Sequence, residues 1–241
     1  MAASPAAEAA AHSPDVAPDI SIVIPALDEA GGIGATLAAL RAQGGDFEIL
    51  VVDGGSSDQT VAIASAAGAD RVIHAPRGRA RQMNAGAALA RGEWLLFLHA
   101  DTLLPPDALL DIQALPRDVA AGGFRHRFSG GGAAIAAVSW LTNLRCRLTG
   151  IVYGDQAFFI RRSTFETIGG FPEGAPLEDV AICRRLKQQR RPRLMETCVV
   201  TDARKFRQRG VLRCMAEVVV ILACERLGLP MPRLGFFRAV R

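Results

Sequence analysis

The sequence predicts one α/β domain in which a mainly parallel central sheet is flanked by helices. Short apolar runs alternate with stretches of helical spacing through the first hundred residues, a pattern typical of successive βαβ units. The chain has 241 residues, which is enough for one such domain with a sizeable core but tight for two enzyme domains. Its composition, 50% hydrophobic and 22% charged, is that of an ordinary globular protein.

The first half of the domain, residues 20–105, carries the regular alternation. Strands are predicted at 21–24, 47–52, 71–73 and 94–98. Helical spacing follows each of the first three strands, at 33–40, 60–67 and 79–90. Because crossovers between parallel strands are right-handed, we expect these helices to cover both faces of the sheet.

The remainder, residues 106–230, is less regular and is expected to complete the same domain. Strands are predicted at 120–128, 157–160 and 194–200, and helices at 133–148, 177–189 and 211–227. Residues 1–19 are rich in Ala, Pro and Ser and lack the unbroken apolar run of a secretion signal. They therefore predict a disordered leader, and residues 231–241 a short tail.

The distribution of charge predicts an anionic partner. The net charge is +4, but residues 183–241 hold 15 Lys or Arg against 4 Asp or Glu. Such a segment suits a diphosphate or a phospholipid surface, and a solvated basic face is an equally good interpretation. With one Tyr, two Trp and no recognisable binding module, no nucleic-acid partner is predicted. The sequence carries no signal of oligomeric state.

Cysteine usage and hydropathy indicate a cytoplasmic protein. The five cysteines are an odd number without a C-x-x-C pair, which favours free thiols in a reducing compartment over a disulfide framework. No stretch of about 18 apolar residues is present to span a bilayer. Any membrane contact would therefore be peripheral, at the inner face. The helix predicted at 211–227 could make it, although packing against its own domain is favoured.

Polar side chains follow three of the four early strands. Pro25-Ala26-Leu27-Asp28-Glu29 follows the first, Asp53-Gly54-Gly55 the second and His99-Ala100-Asp101 the fourth. Ligands of open parallel sheets bind beyond the carboxyl ends of the strands, so this convergence predicts a polar ligand. Asp53 could accept a hydrogen bond from a base N–H or a ribose hydroxyl. Glu29 could instead cap the first helix.

Asp101 is the best candidate ligand for a metal ion. Mg²⁺ and Mn²⁺ prefer few carboxylates together with diphosphate oxygens. Such an ion would neutralise charge on a departing nucleoside diphosphate. His99 lies two residues away and shares a side with Asp101 along an extended chain. It could coordinate Mn²⁺, or lie under the site as a hydrogen-bonded neighbour, which is the favoured interpretation.

A dinucleotide fingerprint is the main competing motif in this region. Gly32-Ile33-Gly34 followed by Asp53 some twenty residues later resembles the start of a nicotinamide-binding site. However, Leu37 stands where the third glycine belongs, and residues 25–31 separate the strand from the first glycine. The fingerprint requires a tight turn at this point, so a nicotinamide cofactor is not predicted.

Four segments together resemble the family 2 glycosyltransferases, inverting enzymes of Rossmann-like GT-A fold. They are SIVIPALDE (21–29), ILVVDGGSSDQT (49–60), FLHADT (97–102) and LEDV (177–180). Two further segments, GRARQMNAGA (78–87) and YGDQA (153–157), resemble a compact bacterial subgroup described as associated with radical-SAM or selenium-domain genes. The resemblance implies a donor half at 20–105 and an acceptor half at 106–230.

The resemblance also implies roles for individual residues toward a nucleotide-diphosphate sugar. Asp179 would be the general base, with Glu178 beside it, and Asp101 would hold Mg²⁺ or Mn²⁺. Donor contacts are implied at Pro25, Leu27, Glu29, Asp53, Arg81, Asn84 and Asp101. Contacts to the diphosphate or the acceptor are expected from Asp155, Arg204 and Lys205. From the residues alone, Glu178 and Asp179 would equally be ordinary first-turn helix acids.

Two departures from the family pattern bear on the mechanism. His99 replaces the first Asp of the metal motif, which removes one charged ligand. The Gln-x-x-Arg-Trp of processive members is absent, and residues 204–209 lie near its expected place, which argues against a polysaccharide synthase. A nucleotidyltransferase of similar architecture and a catalytically silent nucleotide-sugar-binding protein remain the alternatives. The acceptor could be a small molecule, a lipid or a glycan.

Overall fold

The computed structural model describes residues 17–130, 132–230 and 232. In this part of the chain the strands are β1 (Ile20–Ala26), β2 (Phe47–Asp53), β3 (Arg71–His74), β4 (Trp94–Phe97), β5 (Thr102–Leu103), β6 (Ala121–Ser129), β7 (Phe158–Arg161) and β8 (Arg193–Asp202). The helices are α1 (Ile33–Arg41), α2 (Thr60–Ala66), α3 (Arg79–Leu89), α4 (Ala108–Gln113), α5 (Ala133–Thr149), α6 (Arg162–Thr167), α7 (Glu178–Lys187), α8 (Arg204–Arg209) and α9 (Val211–Leu227). A short 3₁₀ turn covers Gly154–Gln156.

The strands form one sheet in the order β3-β2-β1-β4-β7-β6-β8-β5. Strands β1 to β4 pair in parallel, as predicted. Strand β7 is antiparallel to both β4 and β6, and β5 is antiparallel to β8, whereas β6 and β8 are parallel. The α/β class is therefore confirmed, but the sheet is mixed. The apolar runs of the second half could not reveal strand direction, because buried strands of either direction have the same composition.

Both faces of the sheet are buried, which explains the continuous apolar runs of its central strands. Ile22 and Ile24 of β1 pack in one core cluster, whereas Val23 between them packs in a second cluster. Alternate side chains of a strand point to opposite faces. A strand that helices cover on both sides must therefore be apolar at successive positions, not at every second one.

The loops after β1 and β2 are joined by side-chain hydrogen bonds. The carboxylate of Asp28 accepts hydrogen bonds from the backbone N–H and the hydroxyl of Ser57, at 2.8 and 3.0 Å. In return, the Asp28 N–H donates to the Ser56 hydroxyl at 2.9 Å. Asp58 of the second loop accepts a hydrogen bond from the N–H of Ala30 in the first loop, at 3.1 Å. These contacts hold the two loops together at the carboxyl edge of the sheet.

Several short elements were not predicted. Helices α4, α6 and α8 have six residues each, and β5 has two. Helices this short are marginal by themselves and form because tertiary contacts hold them. In α8 only Phe206 is buried, so its sequence shows a run of charge and no apolar period.

Other predictions can be compared with the described residues. All five cysteines are free thiols, as predicted. In the part of the chain described, no helix has the length and apolarity needed to cross a membrane. Most of the predicted leader and all but one residue of the predicted tail lie outside the described residues.

The packing of α3 on the sheet leads to a test of the fold. A Cβ added at Gly86 would overlap Val23 Cγ1 and lie 2.9 Å from Val52 Cγ2. Gly86→Ala should therefore lower the free energy of unfolding by about 1–3 kcal/mol through overpacking, although Ala is ordinarily the better helix former. Urea denaturation measures this change. Gly31→Ala is the control, because a Cβ there has nothing within 4 Å; equal stability of the two variants would contradict this packing.

Candidate active site

A cavity of about 520 Å³ lies beyond the ends of β4 and β8, where α3 and α7 begin. One part of its lining is strongly polar and brings together side chains from distant segments of the chain. The charged or ionisable lining residues are Arg79, His99, Asp101, Tyr153, Asp155, Glu178, Asp179, Asp202 and Lys205, together with Arg145 at the boundary. The rest of the lining is mainly apolar and comes largely from α5 and α9.

Asp179, the predicted base, lies in the first turn of α7 and lines this cavity. Its Oδ2 accepts a hydrogen bond from the backbone N–H of Gly154 at 3.0 Å and lies 3.7 Å from Arg79 Nη1. The side chain is 14% exposed. A helix N-terminus favours an ionised carboxylate. Asp179 is thus largely buried, and the Gly154 N–H and Arg79 orient its carboxylate.

The pKa of Asp179 is raised to about 7. Burial is the main cause, and repulsion from the neighbouring Glu178 adds to it, while Arg79 and the Gly154 N–H act in the opposite direction. A general base works best when its pKa lies near the operating pH, because it is then both available and strong enough to take a proton. The site therefore suits Asp179 for proton abstraction near neutrality.

Arg79 is the functional candidate that the sequence did not reveal. Its Nη1 lies 3.2 Å from Glu178 Oε1 and 3.7 Å from Asp179 Oδ2. Burial alone would lower the pKa of Arg79, but Glu178, Asp179, Asp155 and Asp101 raise it. These carboxylates lie far from Arg79 along the chain, so no local pattern pointed to it. The only local signal is Gly78, whose φ of 140° lets the backbone turn into α3.

His99 lines the cavity and lies against the backbone of Gly154. A Cβ added at Gly154 would lie 2.5 Å from His99 Nε2 and 3.3 Å from Asp179 Oδ2. Glycine is therefore required there so that the backbone can approach both side chains. Burial, and then the charge of Arg79, hold the pKa of His99 well below its usual value. The ring is consequently neutral at neutral pH.

Asp101 and Glu29 form a second group of carboxylates beside the cations of α8. Burial raises the pKa of Glu29 to about 7, with repulsion from Asp101 next and the charge of Arg204 opposing it. The pKa of Asp101 is also raised, mainly by burial, while Arg204 and Lys205 lower it. Two partly desolvated carboxylates, one of which raises the pKa of the other, make a place where added positive charge is stabilised.

A divalent cation can be bound by a cage of protein side chains, or by one or two carboxylates together with phosphate oxygens of a substrate. These residues fit the second mode. Among the described residues, no group of three His, Cys, Asp or Glu side chains forms a cage for a metal ion. Mg²⁺ and related ions can instead be held by one or two carboxylates and the phosphate oxygens of a substrate. Asp101 fits that mode, and the neutral His99 ring, with its Nε2 buried and without a partner, is compatible with it.

Asp53 lies at the carboxyl end of β2 but outside the lining of the cavity. Its carboxylate accepts hydrogen bonds from the N–H groups of Gly55 and Ser56 at 3.0–3.2 Å and lies 3.3 Å from His74 Nδ1. Burial alone would raise the pKa of Asp53, but these contacts outweigh it and lower the pKa. Asp53 therefore shapes the glycine-containing loop. Pro25, near the end of β1, and Leu27, in the loop that follows it, are half-buried.

Two other predicted donor contacts also lie away from the cavity. The amide of Asn84 donates to the Phe171 carbonyl and accepts from the Phe171 N–H, both at 2.9 Å. Arg81 Nε lies 3.5 Å from Glu173 Oε2. Both side chains connect α3 to the loop that precedes α7. Their predicted role in donor binding stays a prediction.

The basic residues of 204–209 do not form one surface. Lys205 lines the cavity, and Arg204 acts electrostatically on Glu29 and Asp101. Arg207 instead lies 2.7 Å from Asp202, and Arg209 lies 2.8 Å from Glu217. The cluster is therefore divided between the cavity and structural ion pairs. Asp155, the remaining predicted contact, lines the cavity with its Oδ2 3.8 Å from His126 Nε2.

Comparison with known sequences gives one family match and several partial relatives. The family profile described as Glycosyl transferase family 2 matches residues 21–169. A PGL/p-HBAD biosynthesis glycosyltransferase of Mycobacterium tuberculosis is 36% identical over 172 residues, covering 64% of this chain and 64% of that protein. The succinoglycan biosynthesis protein ExoO of Rhizobium meliloti is 35% identical over 100 residues, covering 39% and 29%. The chain thus spans less than two thirds of the length of either relative.

Solved structures of similar fold include two complexes with Mn²⁺. The mannosyltransferase PcManGT from Pyrobaculum calidifontis, solved with GDP-Man and Mn²⁺, matches with a TM-score of 0.66 at 21% identity, over 92% of this chain and 68% of that one. Glucosyl-3-phosphoglycerate synthase from M. tuberculosis, solved with Mn²⁺, UDP and glucosyl-3-phosphoglycerate, matches with a TM-score of 0.60 at 19% identity, over 88% and 81%. At this identity the likeness concerns the fold.

The raised pKa of Asp179 predicts a gain in stability when its charge is removed. A carboxyl whose folded-state pKa lies above its ordinary value of 3.8 binds more protons in the folded than in the unfolded protein, so stability falls as pH rises from about 4 to about 7. Asp179→Asn should therefore melt at a higher temperature than the wild type at about pH 8, with the difference shrinking toward about pH 4.

Calorimetry over that pH range measures the difference. Asp118→Asn is the control for loss of an exposed carboxylate, because the Asp118 side chain is 72% exposed and its ion pair with Arg190 is a surface contact, so its Tm should stay close to that of the wild type. A lower Tm for Asp179→Asn at alkaline pH would contradict the electrostatic account of the site.

Proposed function

Since the chain belongs to glycosyl transferase family 2, we propose that it transfers a sugar from a nucleotide-diphosphate sugar to an acceptor hydroxyl, with inversion at the anomeric carbon. The observation that carries the proposal is the placement of Asp179. A carboxylate with a pKa of about 7 lines the same cavity as Asp101 and Lys205. The site thus offers a base on one side and groups for an anionic leaving group on the other.

In the proposed reaction, Asp179 takes the proton of the acceptor hydroxyl. The hydroxyl oxygen attacks the anomeric carbon opposite the diphosphate, and the electrons of the bond to the diphosphate leave with it. The Gly154 N–H and Arg79 orient the carboxylate and limit the rise of its pKa. Glu178 forms an ion pair with Arg79, with 3.2 Å between Oε1 and Nη1. It therefore acts as a positioning residue that holds Arg79 beside Asp179. Holding base and substrates in line provides much of the rate enhancement.

Departure of the diphosphate requires positive charge close to the breaking bond. Lys205 lines the cavity and Arg204 acts on Asp101, so both are placed to attract phosphate oxygens, and Asp155 lies nearby on the cavity wall. We propose that Asp101 also holds Mg²⁺ or Mn²⁺, which supplies Lewis-acid charge when bound. The Mn²⁺ complexes of two proteins of similar fold support such a metal.

Donor recognition is proposed for the loops that follow β1 and β2. Glu29 adjoins Asp101 and the cations of α8, so it is placed near the diphosphate. Leu27 lies in the same loop and Pro25 near the end of β1, and Asp53 acts by holding the backbone of Gly55 and Ser56. Arg81 and Asn84 would contact the donor from α3. The narrower likeness to the radical-SAM-associated subgroup, and a cytoplasmic or peripheral inner-membrane location, stay predictions.

The alternative function is that of a catalytically silent nucleotide-sugar-binding protein. The presence of His99 supports this alternative, because this residue replaces a carboxylate of the metal motif. A screen of UDP-, GDP- and dTDP-sugars by thermal shift, with and without Mn²⁺, identifies the donor for either function, since a ligand of the folded state raises Tm. Release of the nucleoside diphosphate then distinguishes transfer from silent binding. A nucleotidyltransferase has no such supporting observation here.

Replacement of the base should abolish transfer and leave donor binding intact. With the donor found in the screen, Asp179→Asn should lower the rate of nucleoside-diphosphate release at least about 100-fold, because the proton acceptor is lost. The thermal shift by the same donor should remain. Asp118→Asn, far from the cavity, should match the wild type in both measurements. Joint loss of donor binding and transfer in Asp179→Asn would indicate a structural role instead.

Replacement of the proposed metal ligand should remove the effect of Mn²⁺ on nucleotide binding. Titration calorimetry of the nucleoside diphosphate is expected to give tighter binding with Mn²⁺ than without it in the wild type. In Asp101→Asn the two affinities should become equal, because the amide carries no charge to hold the ion. Unchanged Mn²⁺ dependence in this variant, or none in the wild type, would refute the metal assignment at Asp101.

A further inference from the structure

The cavity that holds the proposed catalytic groups has a large apolar wall. The wall faces the polar end and is built by two helices, α5 and α9, with two aromatic side chains between them. A volume of about 520 Å³ falls in the range of pockets that enclose a small organic ligand. The wall consists of Val138 and Leu141 of α5, of Met215, Val218, Val219, Ile221 and Leu222 of α9, and of the aromatic residues Phe128 and Phe206.

The wall is continuous with the polar end, so one ligand can touch both. Between them, the Arg145 guanidinium lies 3.5 Å from the centre of the Tyr153 ring, and both side chains line the cavity. From α5 and α9 the only neutral polar side chain in the lining is that of Thr142. A sugar or a phosphosugar placed there would lose hydrogen bonds to water without replacing them, which is costly.

The same two helices also expose apolar side chains to solvent, and two of these side chains line the cavity. Among the described residues, eleven large hydrophobic side chains are exposed, and seven of them belong to α5 or α9. Leu141 is 46% exposed and Val219 is 61% exposed, although both line the cavity. Apolar surface that borders a cavity and remains in water is stabilised when an apolar ligand covers it.

We propose that the acceptor is an amphipathic alcohol, with its hydroxyl at Asp179 and a hydrocarbon body against the wall formed by α5 and α9. This inference rests on the proposed function, because it assigns the acceptor side of that site. The polar end orients the reacting hydroxyl, and the apolar wall supplies affinity in proportion to the area covered. Specificity would then depend on the length of the hydrocarbon body more than on polar contacts.

The test is a chain-length series measured on the full-length protein. Butyl, hexyl and octyl β-D-glucoside, each below its micelle concentration, are titrated calorimetrically in the absence of donor. Affinity should rise by about fourfold for each methylene that reaches the wall. A flat series would overturn the proposal, because a polar acceptor site does not respond to chain length.

Two adjacent valines of α9 provide a matched pair of variants. Val219 lines the cavity, whereas Val220 is 45% exposed and lies outside the lining. Val219→Asp should weaken octyl glucoside binding about tenfold or more, and Val220→Asp should leave it unchanged, because only the first places a charge against the chain. An equal effect of both would mean adsorption to the outer face of the helix and would overturn the proposal.

A second pair on α5 repeats the comparison on the opposite side. Leu141 lines the cavity and Leu148, 72% exposed, does not, so Leu141→Asp should weaken binding and Leu148→Asp should not. All four sites are substantially exposed, and thermal melts check that each variant is folded. If a variant of the valine pair does not fold, the leucine pair tests the proposal in the same way. Weaker binding in Leu141→Asp alone supports the proposal, and an equal effect of Leu141→Asp and Leu148→Asp overturns it.

Saturating nucleoside diphosphate separates an acceptor site from a donor site. The chain-length series should persist when the nucleotide found in the thermal-shift screen is bound, and competition between the two ligands would overturn the assignment to the acceptor. Failure of the series leaves transfer to a polar acceptor standing. If no nucleotide sugar binds at all, the proposed function fails by a measurement that does not involve the alkyl glucosides.

Discussion

The interaction of Arg79 with the carboxylates around it underlies the whole site. Glu178, Asp179 and Asp155 line one cavity, and like charges so close together in a partly dry place would repel each other strongly. Arg79 contacts Glu178 and Asp179 directly, which joins the start of α3 to the start of α7. The same contact keeps the pKa of Asp179 near 7 instead of higher, so the cation serves both the architecture and the proposed chemistry.

The cavity combines two chemical environments in one continuous lining. Gly154 allows the 3₁₀ turn to approach His99 and Asp179, which places an N–H donor where a side chain would otherwise lie. The polar part of the lining includes Asp101 and Lys205, which suit an anionic leaving group. The apolar part comes largely from α5 and α9. One cavity therefore offers surfaces both for a charged donor and for an acceptor with little charge.

Much of the structure of residues 20–105 could be predicted because its signals are local. Buried strands covered on both faces must be continuously apolar, so 47–52 and 94–98 could be identified with nearly the observed bounds. Asp101 could be identified as a candidate metal ligand because it comes shortly after such a strand. The antiparallel placement of β7, the short helix α8 and the role of Arg79 could not be predicted, because each depends on segments far away along the chain. The spacing of residues within a short segment gives no information about contacts with distant segments.

The sequence alone determined the α/β class, the strands of the first half and the family, since apolar runs are a local consequence of burial and the family motifs are short contiguous segments. Only the tertiary structure decided which of the predicted residues meet. It brought Asp101, Asp155, Asp179 and Lys205 to one cavity, and it placed Asn84 and Asp53 in structural hydrogen bonds. It also paired Arg79 with acids about one hundred residues away. Electrostatic energy depends on the distance between charges in space and on their burial. Neither quantity can be read from the order of residues along the chain.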